Sequence, residues 1–211
     1  EIGPDQLGLA KAGALEPGYD PVAYEGIESD PEQQALLARA SRATLVLARN
    51  EGGVLPIDRS AVSSVAVIGP YAAEPRYGAI GSGYTTGPTV APLEGIQSEL
   101  EGSGVAVLTD DWHAADYVIV FVGINDVGEG SDRDNLELPT RISDTLSVDQ
   151  NALVGEVLAE KPERTVVVYT GGSFSVAGTW SSAPAVLIAL YPGGDQGNAI
   201  ADALFGDYNP G

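Results

Sequence analysis

The sequence predicts an α/β fold, a three-layer sandwich in which helices cover both faces of a mostly parallel sheet. Three short apolar runs are rich in β-branched residues, and each is closed by glycine, as expected of strands buried on both faces. They are VAVI (65–68), YVIVFV (117–122) and TVVVYT (165–170). Segments with helical spacing separate these runs, and such alternation is typical of a parallel sheet.

Composition excludes several classes of function. The 211 residues suffice for one large domain or two small ones, and 30 acidic residues against 10 basic ones give a net charge of −20. An anionic surface repels phosphate backbones, so nucleic acid is not an expected partner. No apolar run reaches the ~18 residues of a membrane span, so a membrane is not expected either. The chain has no cysteine, which excludes disulfides and thiolate metal sites.

The first part of the chain predicts an arm followed by a helix. Residues 1–29 are rich in glycine and proline and are predicted to be a linker or arm from a preceding domain, with residues 30–211 forming the main domain. Asp30 as N-cap and Pro31 at the first helical position begin a helix expected to end near Asn50. The face expected to be buried consists of Leu36, Leu37, Ala40, Ala43, Thr44 and Leu47.

Further elements follow in alternation. We expect strands at Val65–Ile68, Val105–Leu108, Thr165–Thr170 and Val186–Leu190, helices over 92–100 and 148–160, and a last helix beginning near Asp195 with Ile200, Ala203 and Leu204 on one face. Ser147 and Gln150 have the spacing of a capping box at the start of the helix over 148–160. The segment Thr109–Ala115 is short for a parallel crossover, which predicts either an antiparallel pair of strands or a missing insert.

A polar loop follows the run 117–122 and Gly123. It contains Glu129, Asp132, Arg133 and Asp134. Ligands bind at the carboxyl ends of parallel strands in open α/β sheets, which is where this loop is predicted to lie. A carboxylate beside a guanidinium there is either a local ion pair or part of an active site, and spacing alone leaves both open. The simplest interpretation of Glu129 is a solvated acid.

Other motifs indicate no established chemistry. The strand before Gly69 lacks the G-x-G-x-x-G fingerprint, and no phosphate-binding loop is present, which disfavours a nucleotide-binding domain. Ser82 and Ser173 lack the G-x-S-x-G context of a hydrolase nucleophile, and His113 is the only histidine. Asp132 and Asp134 alone do not make a metal site. We expect neither a cofactor nor a metal.

Eight segments taken together carry a resemblance. They are RATLVLARNEGGVLPI (42–57), VAVIGPYA (65–72), GSG (81–83), APLEGI (91–96), ADYVIVFVG (115–123), EGSDRDNLELP (129–139), TVVVYTGGSFSV (165–176) and YPGGDQGNAIADALFGDYNPG (191–211). In this order they resemble the second domain of glycoside hydrolase family 3, the β-glucosidases and β-xylosidases. The segments EG-x-DR-x-x-L-x-LP and G-x-A-I-A-D-x-L-F-G-D-x-NP are the most specific.

The resemblance implies half of an active site. In that family an N-terminal (β/α)8 barrel supplies the aspartate nucleophile and packs against this sandwich, while the glutamate of EG-x-DR, here Glu129, is the general acid/base. Asp132 and Arg133 would lie near the site, and Ser82 and Tyr84 either line the sugar site or form a tight turn. The implied activity is that of a retaining exo-acting β-glycosidase, first of all a β-glucosidase, inactive as this chain alone.

The resemblance also implies partners. They are a β-linked glycoside and the (β/α)8 barrel of the same polypeptide, with a homodimer left open, and the location is either extracellular or cytoplasmic. Because the chain lacks methionine and ends in a turn-forming cluster, we expect it to be a piece of a longer polypeptide. The alternative is a non-catalytic carbohydrate-binding or interaction module with the same fold.

Three departures from the family pattern accompany the resemblance. The segment Thr109–Ala115 is short where some members carry a PA14-type insert. RISDTLSVD (141–149) lengthens the connection after Pro139, and Arg49 stands where the family often has lysine.

Overall fold

The structure, a computed structural model, describes residues 30–75, 87–124 and 132–211. The chain divides into a short first unit, Glu1–Ala35, and a second unit, Leu36–Gly211, that contains the sheet. The predicted arm over 1–29 lies outside the described residues and stays a prediction. In the first unit, the Asp30 carboxylate accepts hydrogen bonds from the Glu32 and Gln33 amides at 2.7 and 3.3 Å, as predicted for an N-cap.

The described residues form one mixed sheet with helices on both faces. The helices are α1 (Pro31–Ala43), α2 (Pro92–Glu99), α3 (Gln150–Glu160) and α4 (Gln196–Phe205). The strands are β1 (Leu45–Asn50), β2 (Ser64–Ile68), β3 (Ala106–Leu108), β4 (Tyr117–Gly123), β5 (Thr165–Thr170) and β6 (Ala185–Ala189). Their order is β1-β6-β5-β4-β2-β3, and every pair is parallel except β1 with β6. The predicted fold class is confirmed.

Two apolar layers enclose the sheet. Alternate side chains of β4 enter different layers: Ile119 and Phe121 pack on the side of α2 and α4, whereas Val118 and Val120 pack on the side of α3. All four side chains are fully buried. Burial of a side chain this size contributes about 1.5–3 kcal/mol, so the middle strands dominate the stability of the domain. No helix of the described residues is both long and apolar enough to cross a membrane.

The prediction of a helix reaching Asn50 is wrong, because the chain leaves the helix at Ala43 and enters β1 at Leu45. Leu45 is buried whereas Val46 is 44% exposed, which is the two-residue period of a strand. β1 pairs with the outer edge of β6 and provides hydrogen-bond partners for the backbone groups of β6 that would otherwise have none in the sheet. The stabilisation from this pairing outweighs the helical spacing of the residues in β1.

The predicted buried face of the first helix is also wrong within the described chain. Leu36, Ala40 and Ala43 are exposed, and the buried residue of α1 is Ser41.

The antiparallel alternative for the connection into β4 is wrong as well. β3 and β4 both pair with β2 in parallel, and they lie on opposite sides of it. The segment between β3 and β4 must run back along the length of β3 before β4 begins. Because β3 has only 3 residues, this distance is only ~10 Å, and a short connection suffices. A short 3-10 helix, Trp112–Ala114, lies in this return. A missing insert stays a prediction.

The predicted capping box of α3 is wrong in its residues. The N-cap is Asp149, whose carboxylate accepts a hydrogen bond from the Ala152 amide at 2.9 Å. Ser147 instead pairs with Arg141 in an antiparallel bridge, and the Gln150 side chain faces the sheet. α4 begins after Asp195 as predicted, but it is buried on nearly all sides rather than on one face. The other strands and α2 lie within about one residue of their predicted bounds.

Glycine allows α2 and α4 to pack closely. A Cβ atom on Gly95 of α2 would lie 2.2 Å from the backbone of Gly197 of α4. A Cβ on Gly197 would in turn lie 2.2 Å from the carbonyl oxygen of Ala91. Because these neighbours are backbone atoms, neither helix can accommodate a methyl group without moving.

We expect Gly95→Ala to lower the free energy of unfolding by about 1–3 kcal/mol, because overpacking outweighs the better helix propensity of alanine. Gly155→Ala in α3 is the matched control, since a Cβ there meets only the Thr179 methyl group at 3.7 Å. That variant should gain about 0.5–1 kcal/mol. Urea unfolding of both variants measures the difference, and equal effects would contradict close α2–α4 packing.

Candidate functional site

The sheet has a point at which its connections change face, between β2 and β4. α2 leads from β2 to β3 on one face, whereas α3 leads from β4 to β5 on the other. β2 and β4 are neighbours, so the two connections diverge from adjacent carboxyl ends. Such a point opens a crevice in which α/β sheets commonly bind ligands.

The predicted site residues belong to the two connections that leave this crevice. Ser82 and Tyr84 belong to the connection after β2, and Glu129 belongs to the connection after β4. All three lie outside the described residues, so their positions and roles stay predictions. What the structure describes is where each connection leaves the sheet and where it returns.

Glycines bring backbone close together at the rim of the crevice. A Cβ on Gly69, which has a φ of +104°, would lie 2.1 Å from the Phe121 carbonyl oxygen. A Cβ on Gly123 would lie 2.2 Å from the Thr170 carbonyl oxygen. A side chain at Gly69 would therefore push apart the ends of β2 and β4, and one at Gly123 would push apart the ends of β4 and β5.

Gln150 is a buried polar residue at this rim and is 1% exposed. Its Oε1 accepts a hydrogen bond from the Gly123 amide at 2.8 Å, and its Nε2 donates to the Gly123 carbonyl at 3.0 Å. Nε2 also donates to the Pro139 carbonyl at 2.7 Å. One amide side chain therefore joins the end of β4 to Pro139, further along the connection that leaves it.

Sequence reasoning missed this role of Gln150, because its spacing from Ser147 indicated a helix cap. No local signal was available, because Asp149 and Asn151 on either side of Gln150 are polar as well, and the partners of its side chain lie 27 and 11 residues away in sequence.

Arg133 binds loop backbone. Its guanidinium donates to the Ser173 carbonyl at 2.6 Å and to the Glu137 carbonyl at 3.0 Å. The Ser175 amide also donates to the Leu136 carbonyl at 2.8 Å. Arg133 therefore ties the connection after β4 to the connection after β5 through backbone carbonyls, which differs from the ion pair considered from the sequence. Asp132 and Asp134 are exposed.

An aromatic group supports the loop that Arg133 binds. Tyr169 stacks on Trp180 with ring centroids 5.2 Å apart, and Phe174 meets the Trp180 ring edge-on at 5.6 Å. The Tyr169 hydroxyl donates to the Gly172 carbonyl at 3.2 Å, and burial raises the pKa of this phenol above its ordinary value despite the nearby Arg133. The hydroxyl is therefore a fixed hydrogen-bond donor rather than a base.

The connection after β2 returns to the sheet beside the loop after β6. The Val90 amide donates to the Gly194 carbonyl at 2.9 Å, and the Gly197 amide donates to the Val90 carbonyl at 3.0 Å. Tyr191 in that loop has a φ of 51°, which is unusual for a residue with a side chain. The connections after β2, β4, β5 and β6 thus meet at one edge of the sheet.

Asp195 is a partly buried acid in the loop after β6. Burial raises the pKa of its carboxyl group above the ordinary value, while the Asn198 amide and then Arg42 oppose the rise. Asn198 Nδ2 donates to its Oδ1 at 2.6 Å.

An acidic cluster lies away from this edge, at the ends of α2 and α4. Carboxylate oxygens of Glu99, Asp202 and Asp207 lie within 4.8 Å of one another. Arg59 contacts Glu99 at 2.7 Å and also pairs with Asp207, while Arg42 contacts Asp202 at 2.5 Å. Burial, with Asp207 and Asp202 nearby, raises the pKa of Glu99 although Arg59 opposes it. Two arginines therefore already compensate these acids.

His113 is a surface residue. Its ring stacks on Trp112 at 3.9 Å, its Nδ1 lies 2.8 Å from the Glu160 carboxylate, and its side chain is 59% exposed. It precedes β4 and so lies at the opposite edge of the sheet from Gly123.

The class of protein follows from this architecture: an α/β sandwich domain whose connections change face at the carboxyl ends of β2 and β4. The family model of the glycosyl hydrolase family 3 C-terminal domain matches residues 45–211. The chain belongs to this family.

Known proteins agree with the assignment. Thermostable β-glucosidase B of Acetivibrio thermocellus is 30% identical over 210 residues, which cover 88% of this chain and 26% of that protein. β-Xylosidase/α-L-arabinofuranosidase 1 of Medicago sativa subsp. varia is 34% identical over 203 residues, which cover 85% of this chain and 24% of that protein. The chain therefore spans about a quarter of the length of these relatives (26% and 24%).

Solved structures agree as well. A family 3 β-glucosidase of Bifidobacterium adolescentis superposes with a TM-score of 0.72 at 26% identity, over 98% of this chain and 31% of that one. A β-glucosidase from Erythrobacter marinus superposes with a TM-score of 0.75 at 26% identity, over 95% of this chain and 32% of that one.

We expect Asp195→Asn to stabilise the chain at pH 7. A carboxyl group whose pKa is higher in the folded than in the unfolded chain costs stability once the pH rises above the unfolded value. Asparagine keeps the acceptor for Asn198 without the buried charge. The variant should melt above the parent at pH 7, and the difference should disappear as the pH falls below the ordinary value of 3.8.

Asp144→Asn is the control for this prediction, because the Asp144 side chain is 94% exposed. It should change the melting temperature little at either pH. A lower melting temperature for Asp195→Asn at pH 7 would show that the charge stabilises the loop after β6.

Proposed function

We propose that this chain is the domain of a retaining, exo-acting β-glycosidase that supplies the general acid/base to an active site shared with a (β/α)8 barrel of the same polypeptide. Glu129 is the acid/base, and Ser82 and Tyr84 contact the sugar. The chain alone is inactive, because the nucleophile belongs to the barrel.

One observation carries the proposal. In a chain of this family, the connection whose sequence contains Glu129 leaves β4 where the connections change face, next to the strand end from which the connection containing Ser82 and Tyr84 leaves β2. The second half of this segment is anchored, since Arg133 binds the Ser173 carbonyl. An acid carried between two anchored ends is suited to face a second domain.

The proposed chemistry needs two carboxyl groups. A retaining glycosidase holds them about 5–5.5 Å apart on opposite sides of the scissile bond. The barrel carboxylate attacks the anomeric carbon while Glu129 gives its proton to the departing glycosidic oxygen. Glu129, now a carboxylate, then takes a proton from water as that water attacks the glycosyl-enzyme bond and releases the sugar.

Glu129 must hold its proton near neutral pH for this role. Loss of water from its surroundings raises the pKa of a carboxyl group, and so does a second carboxylate nearby. Docking on the barrel would supply both effects. The proposal therefore requires the two domains together.

The relatives indicate the substrate class. They are named as β-glucosidases and β-xylosidases, so we propose a β-linked glucoside or xyloside as substrate, with a glucoside first. This sandwich supplies the proton, and the barrel would set most of the contacts to the sugar.

The test is Glu129→Gln in the full-length enzyme. Loss of general acid catalysis should lower kcat/KM about 10²–10⁴-fold for alkyl glycosides, whose leaving groups need the proton. Aryl glycosides with acidic phenols should lose much less in the glycosylation step, and azide should restore turnover by attacking the glycosyl-enzyme as a glycosyl azide forms. Glu101→Gln is the matched control, an exposed glutamate after α2 at the opposite edge.

Equal losses for alkyl and aryl glycosides, with no azide rescue, would move the acid role to another residue. Full activity of Glu129→Gln would contradict the proposal outright. Binding of glucose or xylose by this chain without hydrolysis in the longer polypeptide would instead favour the non-catalytic module.

A further inference from the structure

We propose that Gln150 is a positioning residue for the reaction: it fixes the two ends of segment 123–139, the part of the connection that carries Glu129. This inference rests on the proposed function. The connection runs from Ile124 to Asp149, between β4 and α3. The same side-chain amide binds the chain before residues 125–131 and the chain after them.

The first end is Gly123, the last residue of β4. Its amide and its carbonyl both bond to Gln150, at 2.8 and 3.0 Å. Gly123 also pairs with Thr170 of β5, and the Ile124 amide donates to the Thr170 carbonyl at 3.3 Å. The chain therefore leaves the sheet in a direction set by both a neighbouring strand and a buried amide.

The second end is Pro139. Its carbonyl accepts the other Nε2 hydrogen bond of Gln150, at 2.7 Å. Two further hydrogen bonds hold the chain between Asp132 and Pro139. The Arg133 guanidinium donates to the Ser173 carbonyl, and the Ser175 amide donates to the Leu136 carbonyl. Leu138 packs in the layer of α3, whereas Ile142 packs in the layer of α2 and α4, so the segment after Pro139 crosses the edge of the sheet.

Only an amide of this length satisfies the three groups. The Gly123 amide needs an acceptor, and the two carbonyls each need a donor, which the two ends of one glutamine side chain supply. A glutamate has the same shape but offers only acceptors when ionised, so it would repel both carbonyls. When protonated, it regains one donor. A leucine fills the space and satisfies none of them.

Misplacing a catalytic group by about 1 Å can lower the rate about 10²-fold. We therefore expect Gln150→Glu in the full-length enzyme to lower kcat on alkyl glycosides about 10²-fold. KM should change little. Aryl glycosides with acidic phenols should lose much less, as for Glu129→Gln. Gln150→Leu should show the same pattern.

The pH dependence of activity should distinguish Gln150→Glu from Gln150→Leu. Relative to the parent enzyme at the same pH, Gln150→Glu should recover activity as the pH falls, because its protonated carboxyl donates a hydrogen bond again. Gln150→Leu should show no such recovery. The recovery should appear in the alkyl-to-aryl rate ratio, whereas under a purely structural role protonation would restore stability and leave this ratio unchanged.

Val157→Ala is the matched control. Val157 lies on the same helix and is fully buried, yet it bonds to neither end of the connection. It should destabilise the fold while leaving the alkyl-to-aryl rate ratio unchanged. Hydrogen exchange of the Gly123 amide, measured by mass spectrometry of the full-length enzyme, should accelerate in both Gln150 variants and not in Val157→Ala.

The outcomes separate the two proposals. If Glu129→Gln shows the leaving-group pattern but Gln150→Glu behaves like Val157→Ala, the positioning role is overturned and the proposed function stands. If Glu129→Gln lacks that pattern, the proposed function is overturned, and the positioning role falls with it.

Discussion

The architecture depends on β4 having both of its edges paired and both of its faces covered. β2 and β5 pair with its two edges in parallel, and apolar layers cover its Val118–Val122 core. A strand so placed cannot carry polar chemistry along its length, because every group there is buried. Its chemistry must begin where the strand ends, at Gly123, and the crevice beside β2 lies at that same end.

The structure holds this end by backbone contacts and by one buried amide. Gly69 and Gly123 let backbone atoms approach where a Cβ would collide, and Gln150 satisfies the polar groups left where β4 stops. Arg133 then ties the returning chain to the Ser173 carbonyl. Fixed attachment of the connection, rather than overall charge, is what could present a catalytic acid to a second domain.

The predictable parts of the fold were those decided locally. β5 follows from TVVVYT, because a short β-branched run closed by Gly171 leaves little choice between strand and helix. β1 could not be predicted from its own residues, because their spacing fits a helix. Its strand conformation depends on pairing with β6, which the local sequence does not reveal. The resemblance pointed to Glu129, Ser82 and Tyr84, whereas Gln150 was missed because its three bonds join residues far apart in sequence. Long-range hydrogen bonds leave no periodicity to detect.

The central claim is that the β4 connection delivers the acid/base to a site completed by a barrel. The most direct measurement is a crystal structure of the full-length polypeptide trapped as a covalent glycosyl-enzyme. The account predicts the Glu129 carboxyl group about 5–5.5 Å from the carboxyl of the glycosylated residue, on the side of the departed aglycone. A different carboxyl group in that position, with Glu129 facing solvent away from the sugar, would contradict it.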